Sequence, residues 1–124
     1  MDSDAIAESI KMLPVQSKIL LLGIALLYES GNTQVNTGEV FEAYRNLAIA
    51  AGLPVLTPRR ITDMLSDLDM LGLVSAKVKS LGRYGRTKVI DLSIPVSEVK
   101  KVILQDENLS KLNNYSLPKQ SRLL

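Results

Sequence analysis

The stretch TPRRITDMLSDLDMLGLVSAKVKSLGRYGRTKVIDLSI, residues 57–94, decides the fold because the spacing of its apolar residues changes partway along. In its first part the apolar residues recur at helical spacing, at Ile61, Met64, Leu65 and Leu68. Thr57 is a favourable N-cap residue, and Pro58 suits the first helical position, where its missing N–H is not needed. The pattern predicts a helix over residues 58–71 that ends at Gly72.

Two strands joined by a turn are predicted after this helix. In residues 73–79 and 87–94 apolar and polar residues alternate, as in strands with one buried face. The inward-facing sets are Val74, Ala76 and Val78 in the first strand and Ile90, Leu92 and Ile94 in the second. Gly82 and Gly85 lie between the strands and suit a hairpin loop over residues 80–86.

Helices are also predicted on either side of this stretch. Residues 14–29 are apolar on almost every side, which is typical of a buried central helix. Amphipathic patterns predict further helices over residues 3–13, 37–51 and 96–105, and residues 33–35 suit a very short strand. The tail, residues 108–124, is polar and weakly patterned, so it is expected either to be disordered or to lie against the domain.

This order of elements predicts a winged helix-turn-helix fold, mainly α with a small β-hairpin. The terminal helices are additions to a core over about residues 14–94, and the domain is expected to span residues 1–107, followed by the tail 108–124. In this architecture the helix over residues 58–71 is the one presented to DNA, and the hairpin is the wing.

Composition excludes several classes of function. The chain has 124 residues, 46% of them hydrophobic, and a formal net charge of +2, so a single soluble domain is expected. It contains no cysteine and no histidine, which excludes disulfides, the usual zinc sites and His-based catalytic triads. No phosphate-cradling GxxxxGK[ST] motif, acid–base pair, signal peptide or membrane-length apolar run is present, so we expect a cytoplasmic, nucleoid-associated non-enzyme with no cofactor.

The outer face of the predicted 58–71 helix carries the first candidate site. Its polar residues are Thr57, Arg59, Arg60, Thr62, Asp63 and Ser66. Arginine pairs bidentately with guanine, and Thr57 with free backbone N–H groups suits a phosphate. The alternative is a solvated helix face on which the arginines pair with Asp63 and Asp67. Asp63 suits the positioning of an arginine better than contact with a base.

The predicted hairpin carries the second and stronger candidate site. Its basic residues are Lys77, Lys79, Arg83, Arg86 and Lys88, with no acidic residue between the first and the last. Tyr84 lies at the loop tip, and Gly82 and Gly85 let the backbone approach a phosphate ribbon. Such a run of cations is typical of a hairpin that contacts the edge of a groove or enters the minor groove of duplex DNA. The alternative is charge placed for solubility and edge protection.

The sequence resembles the C-terminal winged-helix domain of archaeal initiators related to origin recognition complex subunit one and cell division control protein six. The resemblance rests on residues 13–14 with 18–21, on 37–44, on 59–63 leading to 68–74 and, most specifically, on GRYGRT at 82–87. It implies docking on duplex DNA at replication origins, with the helix in the major groove and the wing on the minor groove or its phosphates. The wing residues that it implies are Lys79, Ser80, Arg83, Tyr84, Gly85 and Arg86.

The resemblance also implies a larger parent protein with an ATPase module before this domain, so the chain is expected to be an excised C-terminal domain. It further implies the replicative helicase or other initiator subunits as partners. The isolated domain is expected to be monomeric. Two alternatives remain open: a transcription regulator of the same fold that dimerises through its terminal helices, and a protein-interaction module.

Overall fold

The computed structural model describes residues 3–32, 34–80, 82–115 and 117. In chain order the helices and strands are α1 (Ser3–Lys11), α2 (Val15–Glu29), β1 (Val35–Asn36), α3 (Thr37–Ala50), α4 (Pro58–Met70), β2 (Val74–Ser80), β3 (Arg86–Leu92) and α5 (Val96–Ile103). The predicted winged helix with added terminal helices is confirmed. None of the helices in the described ranges is long and apolar enough to cross a membrane.

Helix α2 lies at the centre of the core. Every residue from Ile19 to Leu27 is buried, which explains why its sequence is apolar on all sides. Helix α5 packs on α2, and α1 packs in turn on α5. The buried apolar residues of these terminal helices are Ile6 and Ile10 of α1 and Val99, Val102 and Ile103 of α5. These apolar residues are therefore used for packing within the chain.

Local capping sets the starts of α3 and α4. The Asn36 side chain accepts from the Glu39 N–H at 2.8 Å, and the Glu39 carboxylate accepts from the Asn36 N–H at 3.2 Å, which completes a capping box. The Thr57 hydroxyl oxygen accepts from the Arg60 N–H at 3.3 Å, and Pro58 takes the first position of α4. Both starts are where the sequence predicts them.

The sheet is antiparallel with the strand order β1-β3-β2, so β2 is an edge strand. Its register runs from Val74 opposite Leu92 to Ser80 opposite Arg86. The prediction that Val78 faces the core is wrong, because this side chain is 64% exposed. Burial falls steadily along β2 because the outer half of the hairpin extends beyond the helices that cover its base.

The segment after α5 packs on the core as far as residue 117. Leu109 and Leu112 are buried, and Tyr115 and Leu117 pack against the same cluster. Of the two expectations for the tail, packing against the domain therefore applies to its described part, where the Leu109 N–H donates to the Asp106 carbonyl at 2.9 Å and closes a tight turn. The predicted tail over 118–124 lies outside the described residues.

An ion pair between Lys18 of α2 and Asp106 fastens this turn to the core. Their charged atoms are 2.9 Å apart, and the side chains are only 13% and 19% exposed. The hydrogen bond from Lys18, together with the Asn108 N–H, lowers the pKa of the Asp106 carboxyl below its ordinary value of 3.8. A lowered pKa in the folded state means that the pair stabilises the fold above that ordinary value, and that this contribution disappears as the pH falls through the lowered pKa.

We expect Asp106→Asn to lower the free energy of unfolding by roughly 1.5–3 kcal/mol at pH 7, the range for hydrogen bonds to charged groups. The difference from the wild type should shrink as the pH falls below about 4, because the wild-type carboxyl then becomes protonated. Urea unfolding from pH 7 to pH 2 measures both effects. Glu107→Gln, an exposed neighbouring change, is the control, and an equal pH dependence of the two variants would contradict the prediction.

Candidate nucleic-acid interface

The outer face of α4 is open to solvent along its length. Ile61, Met64, Leu65 and Leu68 fix the opposite face in the core. The sequence-predicted residues that remain exposed are Thr57, Arg59, Arg60, Thr62, Asp63 and Ser66. Since a helix projects residues three and four apart from the same face, the structure brings these side chains together on one surface.

Hydrogen bonds within α4 limit what its N-terminus offers to a phosphate. The Arg60 N–H is already bonded to Thr57, and Pro58 has no N–H, so the first turn leaves the Arg59 amide for a ligand. The Thr57 hydroxyl keeps its own hydrogen for donation. The Thr62 hydroxyl donates to the Pro58 carbonyl at 3.0 Å, which leaves its oxygen as an acceptor. The first turn therefore suits one phosphate oxygen and not a full anion cradle.

The acidic residues of α4 do not neutralise its arginines. Across the described residues, no carboxylate lies within 4.0 Å of the Arg59 or Arg60 guanidinium. The expected positioning of an arginine by Asp63 is therefore not seen in the free chain. Asp69 has a different role, since its carboxylate accepts from the Ala76 N–H of β2 at 3.4 Å and links the end of α4 to the edge of the wing.

Two glycines shape the wing turn. Gly82 and Gly85 have φ angles of +65° and +94°, which side-chain-bearing residues rarely adopt. The Gly85 N–H donates to the Gly82 carbonyl at 3.2 Å and closes a single 3₁₀ turn over residues 82–84. Arg83, Gly85 and Arg86 are exposed on this turn, as predicted. The predicted position of the Tyr84 side chain lies outside the described part of the structure.

The strand register distributes the wing cations over both faces of the hairpin. Residues directly opposite each other share a face, and successive residues alternate. Arg86 pairs with Ser80, and Lys88 pairs with Val78, so these lie on one face; Lys77 and Lys79 lie on the other. No carboxylate in the described ranges forms an ion pair with any of these basic residues. The cations thus lie on both faces of the hairpin.

A hydrogen-bond network beneath the start of α4 was not predicted from the sequence. Tyr44 of α3 is buried, and its hydroxyl donates to the Gln16 side chain of α2 and accepts from the backbone N–H of Leu56. A buried tyrosine hydroxyl usually requires such a partner, and that was the available signal. The sequence carries no comparable signal for Gln16, because its hydrogen-bond partners are distant in sequence.

The chain is similar to known proteins over most of its length. A family model described as "CDC6, C terminal winged helix domain" matches residues 8–102. The chain is 47% identical over 119 residues to the ORC1-type DNA replication protein 4 of Haloarcula marismortui, covering 96% of this chain and 23% of the relative. It is 45% identical over 123 residues to the ORC1-type DNA replication protein of Pyrococcus furiosus, covering 99% and 29%.

A solved structure of the Aeropyrum pernix ORC1 protein in complex with DNA is also similar. It superimposes with a TM-score of 0.79 at 35% identity, covering 89% of this chain and 28% of that protein. The chain therefore spans about a quarter of the length of the relatives that it matches.

Proposed function

The chain belongs to the family of CDC6 C-terminal winged helix domains, and from this premise we propose that it binds duplex DNA on behalf of a replication initiator. The observation that carries the proposal is a hairpin with cations on both faces, joined through Asp69 to helix α4 and its two arginines. Within the described residues none of these basic side chains forms an ion pair. Such surfaces match the phosphate ribbons that flank a DNA groove. The similar ORC1 structure in complex with DNA supports the same assignment.

We infer a division of roles between the two elements. The exposed face of α4, with Arg59 and Arg60 in its first turn, has the size and chemistry to enter the major groove and to donate to base edges. The wing, with cations on both faces and two glycines at its turn, is suited to a minor groove bounded by two phosphate strands. Helix α4 supplies sequence preference, and the wing supplies affinity.

The relatives are named as DNA replication proteins, so we propose replication origins as the target. Fluorescence anisotropy of the 124-residue chain on short duplexes at several salt concentrations tests the proposal. Binding that weakens steeply with salt is expected, because cationic side chains displace condensed counterions from DNA. Absence of binding at low salt would overturn the proposal and would favour a protein-interaction module.

We expect Arg59→Ala and Arg60→Ala to relax sequence preference more than they weaken binding to random DNA. Removing a bidentate arginine from guanine costs about 1–3 kcal/mol of discrimination. Competition between a selected duplex and random duplex measures the ratio of the two affinities. Lys101→Ala, at an exposed position of α5, removes the same charge away from α4 and is the matched control. Equal weakening on selected and random DNA for the arginine variants would contradict base recognition in the major groove.

A further inference from the structure

The segment between α3 and α4 has no regular structure over residues 53–57, yet side chains from α2 and α3 form hydrogen bonds with its backbone. The Gln16 amide nitrogen of α2 donates to the Pro54 carbonyl at 2.9 Å. The Tyr44 hydroxyl of α3 donates to the Gln16 amide oxygen at 2.6 Å and accepts from the Leu56 N–H at 3.0 Å. One continuous chain of three hydrogen bonds therefore joins α2, α3 and the connecting segment.

Two of the three hydrogen bonds, those made by the Tyr44 hydroxyl, are partly shielded from water, and the bond to the Pro54 carbonyl is exposed. The Tyr44 side chain is 1% exposed, and Leu56 and Gln16 are half-buried. A buried N–H without its acceptor retains the full cost of desolvation. The Leu56 N–H has the Tyr44 hydroxyl as its acceptor, and that hydroxyl is oriented in turn by Gln16. Tyr44 and Gln16 thus act as a unit.

The anchored segment lies directly before the first turn of α4. Leu56 is adjacent to the N-cap residue Thr57, and Pro58 then fixes the backbone angle at the first helical position. Fixing Pro54 and Leu56 therefore fixes where α4 begins. The first turn carries Arg59 and Arg60, whose guanidinium groups reach outward by several bonds, so a small shift of the turn moves them away from a bidentate geometry.

We propose that Tyr44 and Gln16 are positioning residues that set the first turn of α4 for sequence-specific recognition, through hydrogen bonds to Leu56 and Pro54. The proposal rests on the DNA-binding function proposed above. It assigns these two residues a role in sequence preference rather than in affinity. A residue that served packing alone would affect stability without changing the preference for one DNA sequence over another.

Tyr44→Phe tests the proposal because it removes the hydroxyl and keeps the ring. The matched control is Tyr28→Phe, since the Tyr28 hydroxyl also donates to a distant backbone carbonyl, that of Ile90, at 2.6 Å. Burial and the nearby Asp91 carboxylate raise the pKa of Tyr28 to about 12, so its hydroxyl stays protonated at neutral pH. Gln16→Met is a second test variant, and its half-buried position keeps the test possible if Tyr44→Phe fails to fold.

The first measurement is amide hydrogen exchange of the free chain. Tyr44→Phe and Gln16→Met should speed exchange at Leu56 and Arg60 by about tenfold, the effect of removing one or two hydrogen bonds of ordinary strength, while Tyr28→Phe should not. Unchanged exchange at these two amides would overturn the positioning role. This result does not depend on DNA binding, so it separates the inference from the proposed function.

The second measurement compares binding to a duplex selected by the wild-type chain from a random library with binding to random duplex. Tyr44→Phe and Gln16→Met should reduce the affinity ratio by about three- to tenfold and leave the salt dependence unchanged, since every phosphate-binding cation remains. An unaltered ratio would overturn the link to specificity. Wild-type binding with no preference would overturn it as well, and absence of wild-type binding would instead refute the proposed function.

Discussion

The double variant Arg83→Ala/Arg86→Ala is expected to weaken binding to duplex DNA by about one to two orders of magnitude at moderate salt, on selected and random sequences alike. Both residues are exposed at the wing turn, and neither forms an ion pair within the described residues. Their charges are therefore available to phosphates. The logarithmic salt dependence should flatten by about 0.9 for each phosphate that is no longer neutralised.

Anisotropy titrations at several salt concentrations measure both effects. Lys101→Ala/Lys111→Ala removes the same charge from exposed positions on α5 and in the segment after it, and it is the matched control. If the two double variants weakened binding equally, the effect would come from net charge and not from the wing. An unchanged salt slope in the wing variant would contradict phosphate binding by Arg83 and Arg86.

The parts of the fold that depend on local signals were predictable from the sequence. The Thr57 cap, the proline at the start of α4 and the glycines of the wing turn each act within a few residues, and the structure places them as expected. The apolar run of α2 predicted a central helix for a similarly simple reason, since a helix without a polar face must be buried.

The parts that depend on distant partners were not predictable. The alternation of β2 correctly predicted its pleat, but the exposure of Val78 depends on how far the covering helices reach along the hairpin. The hydrogen bonds from Gln16 to the Pro54 carbonyl and from the Leu56 N–H to the Tyr44 hydroxyl join residues whose spatial closeness follows only from the packing of α2 against α3. Likewise, the alternative in which the α4 arginines pair with aspartates of the same helix finds no such pairs among the described residues.

The segment after α5 gives the clearest case of a tertiary effect overriding a weak pattern, and a core substitution tests it. Leu109→Ala should lower the free energy of unfolding by about 2–5 kcal/mol, because Leu109 is fully buried and its truncation leaves a cavity. Asn113→Ala, at an exposed position in the same segment, should stay within about 0.5 kcal/mol of the wild type. Urea unfolding at pH 7 measures both values.

The outcome decides where the domain ends. A large destabilisation by Leu109→Ala means that residues 109–117 belong to the cooperative core, so a chain ended at residue 107 would lack part of it. A value below about 1 kcal/mol would mean that the segment detaches at little cost, since buried leucines rarely cost so little to truncate. The wing variant should remain a clean probe of DNA binding in either case, because its residues lie on an exposed turn apart from this cluster.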